Sequence, residues 1–225
     1  MNFEFDHLFV FTEPGAPALE ALLELGLREG SPNVHPGQGT ANRRIFFHNG
    51  MLEFLWVHDA AEVQSDVIAP TKLWERSRPG VTGFSPFGLS LRWREGLAGD
   101  ARLPFATWPY RPPYLPPTMA AIEMAAETFD DEPLVFLIPF GQRPDTAIGD
   151  RRQPLDHPSG WQNITALRLT LTGDRPLSPT LAALQAAGIA TFQRGPAPLA
   201  EIEIDGGRQG QRLDLRPSLP LCLSW

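Results

Sequence analysis

Apolar and polar positions change period several times along this chain, and each change marks an element. The opening run FEFDHLFVF sets Phe3, Phe5, His7, Phe9 and Phe11 at alternate positions, the period-two signature of a strand. Leu8 and Val10 between them are apolar too, so the strand is expected to be covered on both faces. Pro14-Gly15 breaks it. Residues 16–25 then read as a helix: Leu19, Leu22 and Leu23 make one stripe, and Gly26 stands where a left-handed terminating residue belongs. Residues 29–42 are rich in Gly, Pro, Ser and Asn and read as a loop with at most a short strand. The β-rich runs 44–47 and 51–57 flank His48-Asn49-Gly50, a hairpin signal that predicts a type I′ turn.

A similar order returns near the C-terminus. Residues 164–171 alternate as a strand and 176–179 break it. Ser178 can cap a helix that starts at Pro179, carries Leu181 and Leu184 on its stripe, and stops at Gly188. Runs 189–192, 201–204 and 212–215 read as strands. Between the two repeats, 70–78 predicts a short helix, and 87–93 and 134–140 predict strands. Residues 108–117 carry too many prolines for a helix or a central strand, and read either as a cover over a pocket or as a plain rigid loop. Residues 141–160 read as an exposed connector. The expected organisation is one unit over 1–225: a first βαβββ module at 3–57, a middle segment at 58–162, and a second βαβββ module at 163–216.

Composition narrows the class. The chain has 225 residues, 42% of them hydrophobic, enough for a full core without metal or disulfide staples. Its 19 Lys and Arg against 26 Asp and Glu leave a net charge of −7, which argues against nucleic acid and anionic membranes as partners. No run approaches the roughly 20 apolar residues of a membrane span, and the first residues lack the basic start of a signal peptide. The single cysteine, Cys222, lies in an apolar tail and reads as a packing residue, compatible with the cytoplasm.

Three segments carry a family resemblance: Asp6-His7-Leu8 on the first strand, the run GQGTANRR at 37–44, and MLEFLWV at 51–57. Together they resemble the glyoxalase-like branch of the vicinal-oxygen-chelate superfamily, most strongly over residues 3–59. The resemblance implies an α+β fold in which paired βαβββ modules form a curved mixed-sheet cup, with an irregular middle segment. It also implies a divalent metal at the base of the cup in catalytic members, with one ligand from the first strand and one from the last strand of each half.

His7 and Glu53 fall on the first pair of ligand positions, and a histidine nitrogen with a carboxylate oxygen suits a zinc-like ion. The second half departs from the pattern. Ala166 or Leu167 stands opposite His7, and Leu213-Asp214-Leu215 echoes Leu52-Glu53-Phe54, so Asp214 is the remaining candidate ligand. Phe87-Gly88-Leu89, should it be the true partner of the first strand, also lacks one. The alternative for His7 and Glu53 is a buried contact between two core residues.

GQGTANRR is no phosphate loop, because it lacks the Gly-Lys-Ser/Thr ending and precedes a strand. Its glycines would allow close backbone approach while Asn42 and Arg43 or Arg44 face a ligand, the arginine suiting a carboxylate or phosphate. Trp56, Trp93, Trp108, Tyr110 and Tyr114 are the candidate aromatic wall, with Trp56 and Trp108 the expected ligand contacts. His35, His48, His58 and His157 sit in turn-like surroundings and read as surface.

Two small-molecule functions remain open. One is an enzyme of lyase, isomerase or dioxygenase type on a small oxygen-bearing metabolite, with Glu53 as ligand or general base and one divalent metal ion as cofactor. The other is a metal-free, cofactor-free protein that sequesters a small molecule. A cup with no small ligand, serving as an interaction module, is a third. The expected partner is a small-molecule ligand, with a homodimer also left open.

Overall fold

A computed structural model describes residues 2–96 and 102–225. The first module comprises β1 (Phe3–Phe11), α1 (Glu20–Glu24), β2 (Asn33–His35), β3 (Thr40–Phe47) and β4 (Gly50–Val57). Gly26, at φ 88°, receives the chain after α1. Three short helices follow, α2 (Ala60–Val63), α3 (Leu73–Arg76) and α4 (Pro79–Thr82). Next come β5 (Phe87–Trp93), β6 (Thr107–Tyr110), β7 (Ile122–Ala125) and β8 (Leu134–Leu137). All eight strands make one mixed sheet in the order β2-β3-β4-β1-β5-β8-β7-β6.

That order is two copies of one pattern, joined where β1 and β5 pair antiparallel. In the first quartet β1 runs parallel to β4, and β3 and β2 follow antiparallel. In the second, β5 runs parallel to β8, and β7 and β6 follow antiparallel. The first module's partner is therefore the middle segment, residues 87–137, and not 163–216. The C-terminal repeat builds its own five-stranded sheet from β9 (Ile164–Leu171), α5 (Pro179–Ala186), β10 (Thr191–Arg194), β11 (Leu199–Ile204), β12 (Arg212–Asp214) and β13 (Leu221–Ser224). Its order is β10-β9-β11-β13-β12. The apolar tail explains the difference: Leu221, Cys222 and Leu223 are all buried, and β13 takes an interior place between β11 and β12. Local signals in this repeat are as expected, with Ser178 Oγ accepting the Leu181 N–H at 3.2 Å and Gly188 at φ 69° beyond α5.

Three local expectations need correction. First, β1 does not keep one phase. Its pairing with β5 shifts between Phe5 and His7, leaving Asp6 as a bulge residue. Phe3 and Phe5 therefore join the same core as Leu8 and Val10, while Phe9 and Phe11 pack on the opposite face. Second, residues 40–42 belong to β3 rather than to a loop. Third, the 48–50 hairpin is not a type I′ turn, since neither Asn49 nor Gly50 has positive φ. Gly50 is needed for closeness instead: a Cβ there would lie 2.7 Å from the Phe5 ring and 2.8 Å from the Asp6 carbonyl oxygen. The Asn49 side chain spans the two sheets, donating to Ile164 O at 2.7 Å and accepting from Ile164 N at 2.9 Å.

One continuous core joins Leu8, Val10, Leu22 and Phe54 to Leu169, Leu181, Leu184, Ile202 and Leu223, so the C-terminal sheet covers one face of the large sheet. His157, expected at the surface, belongs to this seam. It is buried, its Nε2 donates to Phe46 O at 2.7 Å and its Nδ1 accepts from Arg28 N at 3.0 Å. Those two bonds suit the neutral ring, and burial lowers its pKa from the ordinary value.

Gly88 has the closest approach among the described glycines. A Cβ there would lie 1.9 Å from the Phe9 ring. We expect Gly88→Ala to destabilise the fold by about 1–3 kcal/mol through overpacking, with Phe9→Leu in the same chain restoring part of it. Urea unfolding of the single and double variants is the check, and an additive double variant would count against the contact.

Candidate active site

The other face of the large sheet is concave. Its two edge strands are drawn toward each other over a cavity of about 250 Å³. From the β6 side, Tyr110 Oη donates to Gln38 Oε1 at 2.8 Å, and the Tyr114 ring lies against His35 with centroids 5.0 Å apart. Pro113 packs so closely on Gly37 that a Cβ there would sit 2.5 Å from it. The proline-rich segment thus closes the cup between its edges, and Pro109 is tolerated because β6 is an edge strand. Gly37, at φ 77°, supplies the close approach expected of the glycine-rich run.

The two quartets line the cavity with different chemistry. Strands β1 to β4 and the β2–β3 turn present all the charged groups and amides, His7, Asn33, His35, Gln38, Asn42, Arg44 and Glu53, beside the apolar Phe9, Met51 and Leu55. Strands β7 and β8 and the residues after β8 present Ile122, Met124, Leu134, Phe136, Ile138 and Phe140. A bound molecule meets a mixed wall that carries the charges on one side and an apolar wall on the other.

The polar wall depends on the bulge. Adjacent strand residues normally point to opposite faces, yet His7 Nδ1 and Asp6 Oδ1 are 2.6 Å apart. The irregularity at Asp6 lets the two side chains meet. Asp6 is held in turn by Arg92, whose Nη1 donates to Asp6 Oδ2 at 3.1 Å, Nε to Glu4 Oε1 at 2.8 Å and Nη2 to Asn49 O at 2.9 Å. On its other side His7 Nε2 lies 3.3 Å from Glu53 Oε2. Asn42 Nδ2 donates to Glu53 Oε1, and Asn42 Oδ1 accepts the Asn33 N–H at 2.9 Å, which fixes how that amide is turned. The result is a buried chain Arg92–Asp6–His7–Glu53–Asn42 that ends in the cavity.

Electrostatics favour the charged forms of His7, Glu53 and Asp6. Burial opposes charge on His7, but hydrogen bonds and attraction from Asp6 and Glu53 outweigh it and raise its pKa to about 9. Burial likewise opposes charge on Glu53, yet His7, His35 and the Asn42 amide bring it down to about 2. Asp6, despite burial, is lowered by His7 and Arg92. His35, expected at the surface, instead lines the cavity with Nδ1 2.8 Å from Thr40 Oγ1, and burial lowers its pKa. Burial and the Glu53 charge raise the Tyr114 phenol.

The expected site residues divide clearly. His7, Glu53, Asn42 and Arg44 come together in the cavity, with Tyr110 and Tyr114. Arg43 points to the other face, where Glu20 and Glu29 hold it at 2.7 and 2.6 Å. Trp56 and Trp93 do not line the cavity; they pack against the shared core, because their strand phase places them on the opposite face. Trp108 packs beside Tyr110, ring centroids 6.1 Å apart, next to the cavity rather than in its lining. Asp214 lies on β12 of the other sheet, exposed and paired with Arg216 at 2.5 Å, so it joins neither His7 nor Glu53. Asp6 enters the sequence reading only as part of the first-strand motif and Arg92 not at all, although Arg92 is a charge inside the apolar run FGLSLRW just as Glu53 is inside its own.

The donors do not fit the metal site that the family resemblance implies. Catalytic zinc sites use three protein ligands, and this pair offers two. By the quartet symmetry the others would come from β5 and β8. There Ser90 stands directly opposite His7, and Phe136 stands opposite Ser90. The Phe136 ring meets the His7 imidazole edge-on at 5.6 Å. Among the described residues no group of three or more His, Cys, Asp or Glu side chains is placed to hold a metal.

The two pKa values set a window for stability. The raised pKa of His7 contributes fully below its ordinary value of 6.5 and is lost as pH rises through about 9. The depressed pKa of Glu53 contributes fully above its ordinary value of 4.5 and is lost as pH falls toward about 2. Stability from the pair is therefore greatest between those ordinary values. We expect His7→Gln to flatten the decline of unfolding free energy between pH 6.5 and 9.5, and the His7 ring proton resonances to titrate near 9. A midpoint near 6.5 would sink the assignment.

Comparisons with known proteins bear on the family and the fold. The model of a family described as a glyoxalase-like domain matches residues 5–185. The fold is similar to that of a solved hypothetical protein from Staphylococcus aureus, with TM-score 0.55, 9% identity and 99% of each chain covered, a likeness of fold alone. No curated protein matches the chain by sequence. The family match covers well over half of the residues and includes both quartets, and the chain belongs to the glyoxalase-like domain family.

Proposed function

We propose that this glyoxalase-like protein binds a small organic molecule in the cup without the help of a metal. The observation that carries the reading is the pairing of Ser90 and Phe136 opposite His7, where a second pair of ligands would stand. With no further donor, His7 and Glu53 satisfy each other, and their polar edges face the ligand as a fixed hydrogen-bonding group. The apolar wall of Met124, Phe136 and Ile122 takes the ligand's body. At about 250 Å³ the cavity lies just under the roughly 300–1,000 Å³ of drug-sized sites, so the ligand is small. The same proposal places the protein in the cytoplasm, with the buried Cys222 as a free thiol.

A second reading draws on the Asp6–His7–Glu53 chain: an enzyme of isomerase, lyase or dioxygenase type on a small oxygen-bearing metabolite. Asp6 orients the imidazole and Glu53 shares its other proton, an arrangement suited to moving a proton to or from a substrate placed on Glu53.

Elemental analysis of purified wild type, His7→Ala and Glu53→Gln separates the two. We expect metal well below one equivalent in all three, and binding of a neutral probe such as 3-phenylpropionamide that is unchanged by a chelator. About one equivalent in the wild type, lost in both variants, would transfer the case to a metal-assisted enzyme.

A further inference from the structure

Arg43 and Arg44 are neighbours on β3 with opposite circumstances. Arg43, on the outer face, is held by two carboxylates. Arg92, in the core, is likewise held by two. Arg44 lines the cavity and, among the described residues, has no carboxylate within 4.0 Å. Its strand partner across β4 is Glu53, directly opposite in register. Opposite charges so placed would ordinarily pair. They do not, because Glu53 is turned to His7 and Asn42, while Arg44 Nε donates to Ser31 O at 2.8 Å. The guanidinium carbon lies 5.1 Å from the Phe46 ring centroid, which braces its plane. The two terminal nitrogens have no protein acceptor among the described residues, and they belong to a residue of the cavity wall.

A planar cation with two free parallel donors matches one planar anion. Across the cavity stand Met124 and Phe136, with no charge to meet a second anionic group. Building on the binding function proposed above, we propose that the ligand is a small monocarboxylic acid, its carboxylate on Arg44 and its apolar body against Met124 and Phe136. A phosphate monoester would use the same fork, but its second negative charge would lie near Glu53, directly across the strand pair, with one arginine to balance both. Among the described residues lining the cavity, Arg44 is the cation whose charge no protein carboxylate balances, and one such cation selects the carboxylate.

The test uses three probes of shared shape, 3-phenylpropionate, 3-phenylpropionamide and phenyl phosphate, titrated calorimetrically into the full chain. We expect wild type to bind the acid at least about tenfold more tightly than the amide, as a charge-assisted paired contact should give, and more tightly than the phosphate. Arg44→Gln should weaken the acid by about that factor and leave the amide unchanged. Arg44→Lys should recover part of the loss, because it keeps the charge without the fork. Met124→Trp, which fills the apolar wall, should abolish binding of both. An amide that binds as well as the acid, with both lost in Met124→Trp, overturns the carboxylate assignment and leaves the binding function standing. Phenyl phosphate binding tightest overturns the choice of anion. Acid binding unchanged in Arg44→Gln overturns the role of Arg44, and no binding of any probe overturns both the assignment and the function it rests on. Should Arg44→Gln fail to fold by circular dichroism, the acid-to-amide ratio in Arg44→Lys decides alone.

Discussion

Everything in the cup depends on one irregular residue. Asp6 is the extra residue of a bulge, and its carboxylate is buried between an arginine and a histidine. An isolated buried carboxylate is expensive, and one hydrogen-bonded on both sides to cations is tolerable. Arg92 therefore does two things at once. It compensates Asp6 and Glu4 and, through Asn49 O, ties the 48–50 hairpin to the first strand. With the bulge in place, β1 changes phase, so that its first half feeds the shared core and His7, Phe9 and Phe11 turn to the concave side.

The asymmetry of the cup follows from how two similar quartets were filled. Both have the same strand order, yet the charged groups of the cavity all come from the first, beside Phe9, Met51 and Leu55, while β7 and β8 of the second carry Ile, Met, Leu and Phe. Opposite His7 and Phe9 of β1, strand β5 offers Ser90 and Gly88, and the missing Cβ at Gly88 leaves room for the Phe9 ring. Phe136 then fills the space beside the imidazole. A site of this make-up holds one end of a molecule by hydrogen bonds and charge, and the other by apolar contact.

Closure of the cup is a side-chain matter, not a ladder. The edge strands β2 and β6 are not hydrogen-bonded partners, and the gap is bridged by Tyr110 on Gln38, Tyr114 on His35 and Pro113 on Gly37. A chain Tyr110–Gln38–Thr40–His35 runs along that rim, with Gln38 Nε2 donating to Thr40 Oγ1 at 2.8 Å. Prolines stiffen the bridging segment and remove backbone donors that a ladder would need, which is why this edge meets side chains instead of another strand.

By itself the sequence determined what depends on near neighbours. The β-rich runs of β1 and β4, the glycines after α1 and α5, and the Ser178-Pro179 start of α5 are local signals, and the structure keeps them. His7 and Glu53 were legible as a pair through the family resemblance, which puts them on its first pair of ligand positions, and a carboxylate inside an apolar strand must find a partner. What only the tertiary structure decided is non-local. Periodicity says which residues share a face, never which strand lies alongside, so the partner of the first module was mistaken for residues 163–216 when it is 87–137. Phase within a strand holds only while the pairing is regular, and the bulge at Asp6 rests on Arg92, a residue far along the chain. Asp214 echoes Glu53 in its local pattern but stands in another sheet, because the buried strand β13 claimed the interior place beside it. Short-range chemistry writes the strands, and burial of the most apolar segments assigns their neighbours.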